Sequence, residues 1–263
     1  MSQLSFSLVQ TNLHWEDKTA NLDMFREKIN GIGKTEIVLL PEMFSTGFSM
    51  QPSALAEKMD GATVQWMADI AAAKKIIVGG SLIIEEDGRY FNRFVWMQPN
   101  GQYGYYDKRH LFAYAQEDQH YASGNKRFIA SVKGFKLNLQ ICYDLRFPVW
   151  ARQQAQENNE AEFDVLINVA NWPERRSHAW RTLLQARAIE NQCYTIGVNR
   201  VGHDGNGMYH AGHSMVVDAM GEILCEHEHT EIVETITLHK QSLDDIRQRL
   251  PFLKDRDSFH IAP

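Results

Sequence analysis

Three residues of complementary chemistry stand just past strand-like runs: Glu42 after Glu36 to Leu40, Lys108 after the aromatic run ending at Asp107, and Cys142 after Phe135 to Ile141. Taken singly, each has a plain structural reading. Cys142 can be a packed core thiol, Glu42 a solvated loop carboxylate, and Lys108 a snorkelling surface side chain among Tyr105, Tyr106 and Phe112. Taken together they complete one another. A free thiol ionises near pH 8.5, so a nucleophilic cysteine needs a base or a nearby cation at neutral pH. Attack on a carbonyl then creates an oxyanion that needs a positive donor, and a departing amine needs a proton. A carboxylate, an ammonium and a thiol on one sheet edge would supply all three.

The elements that must deliver them are legible from periodicity. Leu4 to Gln10 reads as a strand, and Leu22, Phe25 and Ile29 then fall at helical spacing behind Asp17, the helix ending at Gly31 and Gly33. Glu36 to Leu40 is a buried strand stopping at Pro41-Glu42. Val64, Met67, Ala68, Ala71 and Ala72 make one helix face, followed by a strand over Lys75 to Ile84. The turn dipeptides Asp87-Gly88 and Asn100-Gly101 make Ile76 to Asp107 an antiparallel meander that ends at Lys108. Ala113 to Asn125 has little apolar periodicity and reads as a lid or an exposed connection.

Phe135, Leu137, Leu139 and Ile141 alternate with polar residues, and Pro148 suits the first turn of a helix over Val149 to Glu157, so Cys142 lies in a strand-to-helix turn. Such turns expose side chains at the carboxyl edge of a sheet, where open α/β folds bind ligands, and a nearby helix N-terminus favours thiolate. Phe163 to Val169 is a further buried strand. Ser177 is placed to cap the next helix, whose Trp180, Leu183, Leu184 and Ala188 share a face. Strands follow over Tyr194 to Asn199, Ser214 to Asp218, Glu222 to Cys225 and Ile232 to Leu238, then a helix over Leu243 to Leu250 and an extended tail. Strands separated by amphipathic helices and then hairpins occur in both halves, and no Pro/Gly/Ser linker interrupts the chain. The pattern predicts a pseudo-symmetric sandwich of two helix-covered sheets.

Bulk properties narrow the function class. With 27 basic against 33 acidic residues among 263 the formal charge is −6, and no Lys/Arg-rich tract points to nucleic acid or an anionic membrane. The three cysteines, Cys142, Cys193 and Cys225, are far apart and odd in number, which argues for a reducing compartment over a disulfide framework. No secretory leader or long apolar span is visible, so the expectation is a cytoplasmic protein with a small-molecule partner. Gly31-Ile32-Gly33-Lys34-Thr35 lacks the first glycine of a phosphate loop and lies between helix and strand, the wrong order. Gly202 to Gly207 has no dinucleotide-binding register. Cys225, His227 and His229 alternate on one strand face but lack a fourth ligand, so no metal is assigned.

The segments Leu40-Pro41-Glu42-Met43-Phe44, Tyr106-Asp107-Lys108-Arg109-His110-Leu111-Phe112 and Gln140-Ile141-Cys142-Tyr143-Asp144-Leu145-Arg146-Phe147-Pro148 resemble, in order, the Glu-Lys-Cys motifs of the nitrilase superfamily of carbon–nitrogen hydrolases. The resemblance runs from the first strand to Leu238. It implies an α/β, four-layer α-β-β-α sandwich of two mixed sheets flanked by helices, formed by residues 1–263 as a single domain with 239–263 as C-terminal helix and tail. It also implies Glu42 as general base, Lys108 and the Tyr143 N–H as oxyanion donors, Cys142 as nucleophile, and Glu117, beside Asp118, as a second glutamate on the lysine. No metal or organic cofactor is implied, and the superfamily commonly forms homodimers.

Ala170 to Trp180, continuing through Gln185 to Gln192, is similar to the omega-amidase branch, which hydrolyses the terminal amide of 2-oxo acids such as 2-oxoglutaramate and 2-oxosuccinamate. A distal carboxylate on such a substrate needs a cation. Arg175 or Arg176 could meet it, or each could form a helix-surface salt bridge instead; Arg146 reads either as a substrate contact or as a partner of Asp144. Phe44, Phe112, Tyr143 and Trp172 would wall the pocket against water. Two other readings stay open: an amidase of the same superfamily acting on a different small amide, and a binding protein that kept the fold without the catalysis.

Overall fold

The computed structural model describes residues 2–154 and 160–261. β1 (Gln3–Gln10) leads through α1 (Lys18–Asn30) to β2 (Ile37–Leu39), and the short α2 (Pro52–Leu55) and α3 (Ala62–Lys74) lead to β3 (Ile77–Glu86). The Asp17 carboxylate caps α1 by accepting from Ala20 N–H at 3.0 Å, which satisfies one of the free donors of the first turn. β3, β4 (Arg89–Met97) and β5 (Tyr103–Asp107) form the anticipated meander, with both turn residues Asp87 and Gly88 at positive φ between β3 and β4. α4 (Glu117–His120) follows, then β6 (Ile129–Val132), β7 (Phe135–Ile141), α5 (Pro148–Ala151), β8 (Val165–Val169) and α6 (Ser177–Asn191). β9 (Tyr194–Val198), β10 (Val201–His203), β11 (Tyr209–Val217), β12 (Ile223–Glu228), β13 (Ile232–His239) and α7 (Lys240–Arg249) complete the order.

Two mixed sheets result. One runs β13-β1-β2-β3-β4-β5, with β1, β2 and β3 parallel and the outer strands antiparallel. In the other β7, β8 and β9 are parallel, β6 pairs antiparallel with β7, and β11 pairs antiparallel with β9, β10 and β12. Each sheet therefore has a parallel centre and antiparallel flanks, the repeat that the two halves of the sequence suggest. The sheets pack face to face through Leu4, Phe6 and Leu39 of one against Leu137, Leu139, Ile141 and Ile167 of the other. Phe25 and Ile29 of α1 and Val64, Met67 and Ile70 of α3 cover the outer face of the first sheet. Trp180, Leu184 and Ala188 of α6 cover the second. Helix, sheet, sheet and helix make the four layers.

Gly197 lets α6 lie close on the second sheet, since a Cβ there would sit 2.4 Å from Leu184 and 2.6 Å from Trp180. The parallel strands β2, β7 and β8 all deliver their carboxyl ends to one edge, and the residues past those ends are Glu42, Cys142 and Asn171.

Three local expectations are corrected. The helix after Cys142 stops at Ala151, because Arg152 is extended (ψ 137°) and Gln153 leaves the helix to bond Asn191; residues 155–157 of the anticipated helix lie outside those described. Ser177 is the first residue of α6 instead of its cap: Arg176 holds the cap position, and no side chain caps that end. The 113–125 stretch is no plain connection, since it forms a 3₁₀ turn and α4 and buries Glu117.

Candidate active site

Cys142 follows β7 directly, at φ 45°, a left-handed conformation that a side-chain-bearing residue adopts at a cost of about 1–2 kcal/mol. The turn is held by Asp144, whose carboxylate accepts from the Ile141 N–H at 3.0 Å. Cys142 packs against the core on one side and lines a cavity on the other, where it is partly exposed.

Glu42, Lys108 and Glu117 are fully buried and meet at one ammonium. Lys108 Nζ donates to Glu42 Oε1 at 2.9 Å and to Glu117 Oε1 and Oε2 at 3.0 and 2.8 Å. Asn92 Nδ2 bridges the same carboxylates, at 2.8 Å to Glu42 and 3.2 Å to Glu117. Glu42 Oε2 accepts from Asn171 N–H at 2.8 Å, and Asn171 Nδ2 donates to the Glu42 carbonyl, so the end of β8 fixes Glu42 from the opposite sheet. Glu117 Oε2 also accepts from Phe112 N–H at 2.6 Å, while Asp118 beside it is exposed.

The electrostatics follow from burial with partners. Burial alone would lower the Lys108 ammonium, but the Glu117 and Glu42 carboxylates outweigh it and hold it well above its ordinary value, so the lysine stays charged. Burial raises Glu117, with Lys108 opposing and Glu42 adding to the rise. Burial likewise pushes the Cys142 thiol well above its ordinary value, the Glu42 carboxylate pushes the same way, and Lys108 opposes. At rest the site thus holds a thiol beside a carboxylate that can receive its proton.

Over this group lies a cavity of about 270 Å³, the size of a small metabolite. Phe112, Tyr143 and Trp172 line it. Tyr143 packs edge-on against Phe112 at 5.0 Å, and Trp172 is fixed by Asn199 Oδ1, which accepts its N–H at 2.8 Å. Phe44 does not line it. That ring lies in the core under α1 and α3, 5.5 Å from Phe25 and 5.9 Å from Trp66, because Met43 at φ 43° reverses the chain and turns Phe44 away from the site. Phe48 takes the place, its ring 5.1 Å from Lys108 Nζ.

Three guanidinium groups reach the cavity. Arg175 and Arg176 are two, with Arg176 stacked 5.2 Å over Phe112 and lowered by burial and by Arg175. The third is Arg146, 4.9 Å over the Trp172 ring. Asp144 bonds Tyr106, His110 and Ile141, and Arg146 lines the cavity. Asp204, Met208 and His210, at the β10–β11 hairpin, also line the cavity. Among the described residues no His, Cys, Asp or Glu group is arranged to hold a metal; His227 pairs with Glu234 and His229 with Tyr209.

Sequence reasoning missed Asn92, Asn171, Phe48 and Asp144. Asn92 and Asn171 carry a signal in retrospect: an amide inside an apolar strand, and one just past a buried strand, each needs a partner, and buried carboxylates supply it.

Residues 6–248 match the family model for carbon-nitrogen hydrolase. The chain is 39% identical over 264 residues to omega-amidase YafV of Escherichia coli (strain K12), covering 99% of this chain and 100% of that one. It is 30% identical over 223 residues to 2-oxoglutaramate amidase of Bacillus subtilis (strain 168), covering 84% of each. The crystal structure of XC1258 from Xanthomonas campestris, a CN-hydrolase superfamily protein with an arsenic adduct in the active site, is similar at a TM-score of 0.97 and 42% identity, covering 100% of both chains.

Proposed function

The chain belongs to the carbon–nitrogen hydrolase family and is an amidase-type hydrolase of carbon–nitrogen bonds, and from that premise we propose that it is an omega-amidase, converting 2-oxo acid amides such as 2-oxoglutaramate or 2-oxosuccinamate to the 2-oxo dicarboxylate and ammonia. The observation that carries the reading is the junction of Cys142, Glu42 and Lys108 beneath a cavity lined by three arginines. An anionic substrate fits such a cavity, and an amide at its far end would reach the thiol.

In the proposed reaction Cys142 Sγ attacks the amide carbon while its proton passes to Glu42. The oxyanion is received by Lys108 Nζ and the Tyr143 N–H. Glu42 then gives the proton to the amide nitrogen, the carbon–nitrogen bond breaks, and ammonia leaves a thioester on Cys142. Water, deprotonated by Glu42, attacks the thioester; the carbon–sulfur bond breaks, and the sulfur recovers a proton as the carboxylate departs. Glu117 keeps Lys108 charged and in place. Arg175 or Arg176, with Arg146 as a third candidate, meets the substrate carboxylate, and Phe112, Tyr143, Trp172 and Phe48 keep water from the thioester until ammonia has left.

The proposal takes the chain as one cytoplasmic domain that acts as a homodimer, in keeping with three free cysteines and with the exposed apolar side chains Val149, Ile189 and Phe252 on α5, α6 and the tail. No described helix is long and apolar enough to cross a membrane.

Ammonia release from a series of omega-amides with and without the 2-oxo group tests the substrate. A preference for 2-oxoglutaramate or 2-oxosuccinamate is expected; equal rates across the series would reduce the reading to a general small-amide hydrolase. Cys142→Ala is expected to abolish release, and residual turnover in that variant would remove the thioester.

A further inference from the structure

The proposed reaction uses groups from both sheets. Glu42, Asn92 and Lys108 belong to the first, while Cys142 and Asn171 lie past strands of the second. Something must hold the two sets in register. Asn171 does so for the base, since its two bonds join Glu42 to the end of β8. The oxyanion donors need their own tie, because Lys108 comes from the first sheet and the Tyr143 N–H from the second.

We propose that Asp144 is the positioning residue that supplies this tie, setting the distance between Lys108 and the Cys142 turn. The inference rests on the acyl-transfer reading above. Asp144 is fully buried, and its carboxylate is shared between the two segments. Oδ2 accepts from the Ile141 N–H at 3.0 Å and from the Tyr106 hydroxyl at 2.7 Å. Oδ1 accepts from the His110 N–H at 3.0 Å and meets His110 Nδ1 at 2.8 Å. Tyr106 and His110 flank Lys108 on either side, and Ile141 and Asp144 flank Cys142 and Tyr143. One carboxylate therefore brackets both reacting segments.

The surroundings stiffen the bracket. The Tyr106 hydroxyl also accepts from Trp150 Nε1 at 2.9 Å and from Arg109 N–H at 3.2 Å. The His110 ring stacks on Phe147 at 3.7 Å and 4°, and Phe147 packs edge-on against Tyr143 at 5.0 Å. Among the described residues the other hydrogen-bond partners of Lys108 are Asn92, Glu42, Glu117 and Gly124, none of which lies in the second sheet. An asparagine at 144 would fill the space but turn an NH₂ toward two of the four donors, so one side of the bracket would open.

Two reactions at the same sulfur separate this role from simple support of the cysteine turn. Acylation by p-nitrophenyl acetate transfers acetyl to Sγ, expels p-nitrophenolate and passes through an oxyanion. Alkylation by iodoacetate displaces iodide from a methylene carbon and forms none. Misplacing an oxyanion donor by about 1 Å costs up to roughly 100-fold, so Asp144→Asn is expected to slow acylation about 30-fold or more while alkylation stays within about threefold of wild type. Equal slowing of both reactions, or acylation unchanged, would overturn the proposal. His110→Ala, at a side chain 22% exposed, carries the same test if Asp144→Asn does not fold. It is expected to show a smaller split of the same kind, and His110→Asn, which keeps a donor near Nδ1, to recover it. Because neither probe is an omega-amide, failure of the substrate assignment leaves this outcome readable, and Cys142→Ala reports separately whether the thiol is the reacting group.

Discussion

At the residue scale the decisive quantity is the charge shared by three buried groups. Glu42 and Glu117 bring two carboxylates to one ammonium, and the lysine keeps its proton because both stay within 3.0 Å. Replacing either carboxylate by its amide still leaves the ammonium one carboxylate partner. Glu42→Gln is the milder case, since Glu117 remains on Lys108, yet the amide cannot take the thiol proton. It is expected to fold while ammonia release falls about 10³-fold, within the usual span for a general base; wild-type turnover in that variant would take Glu42 out of the mechanism. Glu117→Gln is expected to lower the affinity for substrate as well as the rate, because the same carboxylate holds the Phe112 N–H at the cavity wall. A change in kcat alone would restrict Glu117 to the lysine.

Glu42, Lys108 and Cys142 were legible because each follows a strand whose periodicity shows in the sequence. Phe44 and Phe48 were not, since the choice between them turns on one positive φ at Met43, which no residue type announces. Glu117 stood in a stretch without periodicity, and only its tertiary partner distinguishes it from the exposed Asp118.

At the element scale the strands are more legible in the sequence than the helices. A strand needs only alternation between two faces, and β1, β7 and β13 show it. The helix expected after Cys142 rests on Pro148 as a start signal, whereas its end is set by Gln153 bonding the backbone of Glu162 and, 38 residues away, Asn191. α6 was legible through Trp180, Leu184 and Ala188, but its close seat on Gly197 was not. Gly197→Ala is expected to destabilise the protein by about 1–3 kcal/mol, the usual cost of overpacking. It should also raise KM, because the displaced Trp180 packs 5.4 Å from the cavity residue Trp172. Thermal unfolding together with steady-state kinetics checks both effects, and a stability loss with KM unchanged would separate the α6 seat from the cavity.

At the scale of the whole molecule, the two-sheet sandwich follows from the repeated pattern of the halves, but the ionic ties between sheets do not, since they join residues 76 to 97 positions apart that no local pattern pairs. Glu36 on the first sheet pairs with Lys133 in the β6–β7 turn and accepts from Ser5. Asp164, at the start of β8, pairs with Lys240 and Arg247 of α7, which follows β13 of the first sheet. Burial opposes ionisation at both sites, yet the bonds from Lys133 and Ser5 lower Glu36 to about 2, and those from Lys240, Arg247 and Lys136 lower Asp164. A carboxyl lowered on folding binds fewer protons in the folded chain than in the unfolded one. Its contribution is therefore complete above the unfolded value, about 4, and is lost as pH falls through the folded value. Glu117 has the opposite sign, because burial raises it, so the wild-type curve alone mixes the two effects. Comparison with variants separates them. Glu36→Gln and Asp164→Asn are each expected to lower Tm at pH 7 and to flatten its decline between about pH 5 and pH 2. Variant and wild-type curves that stay parallel over that window would show that these ties contribute nothing to the joining of the two sheets.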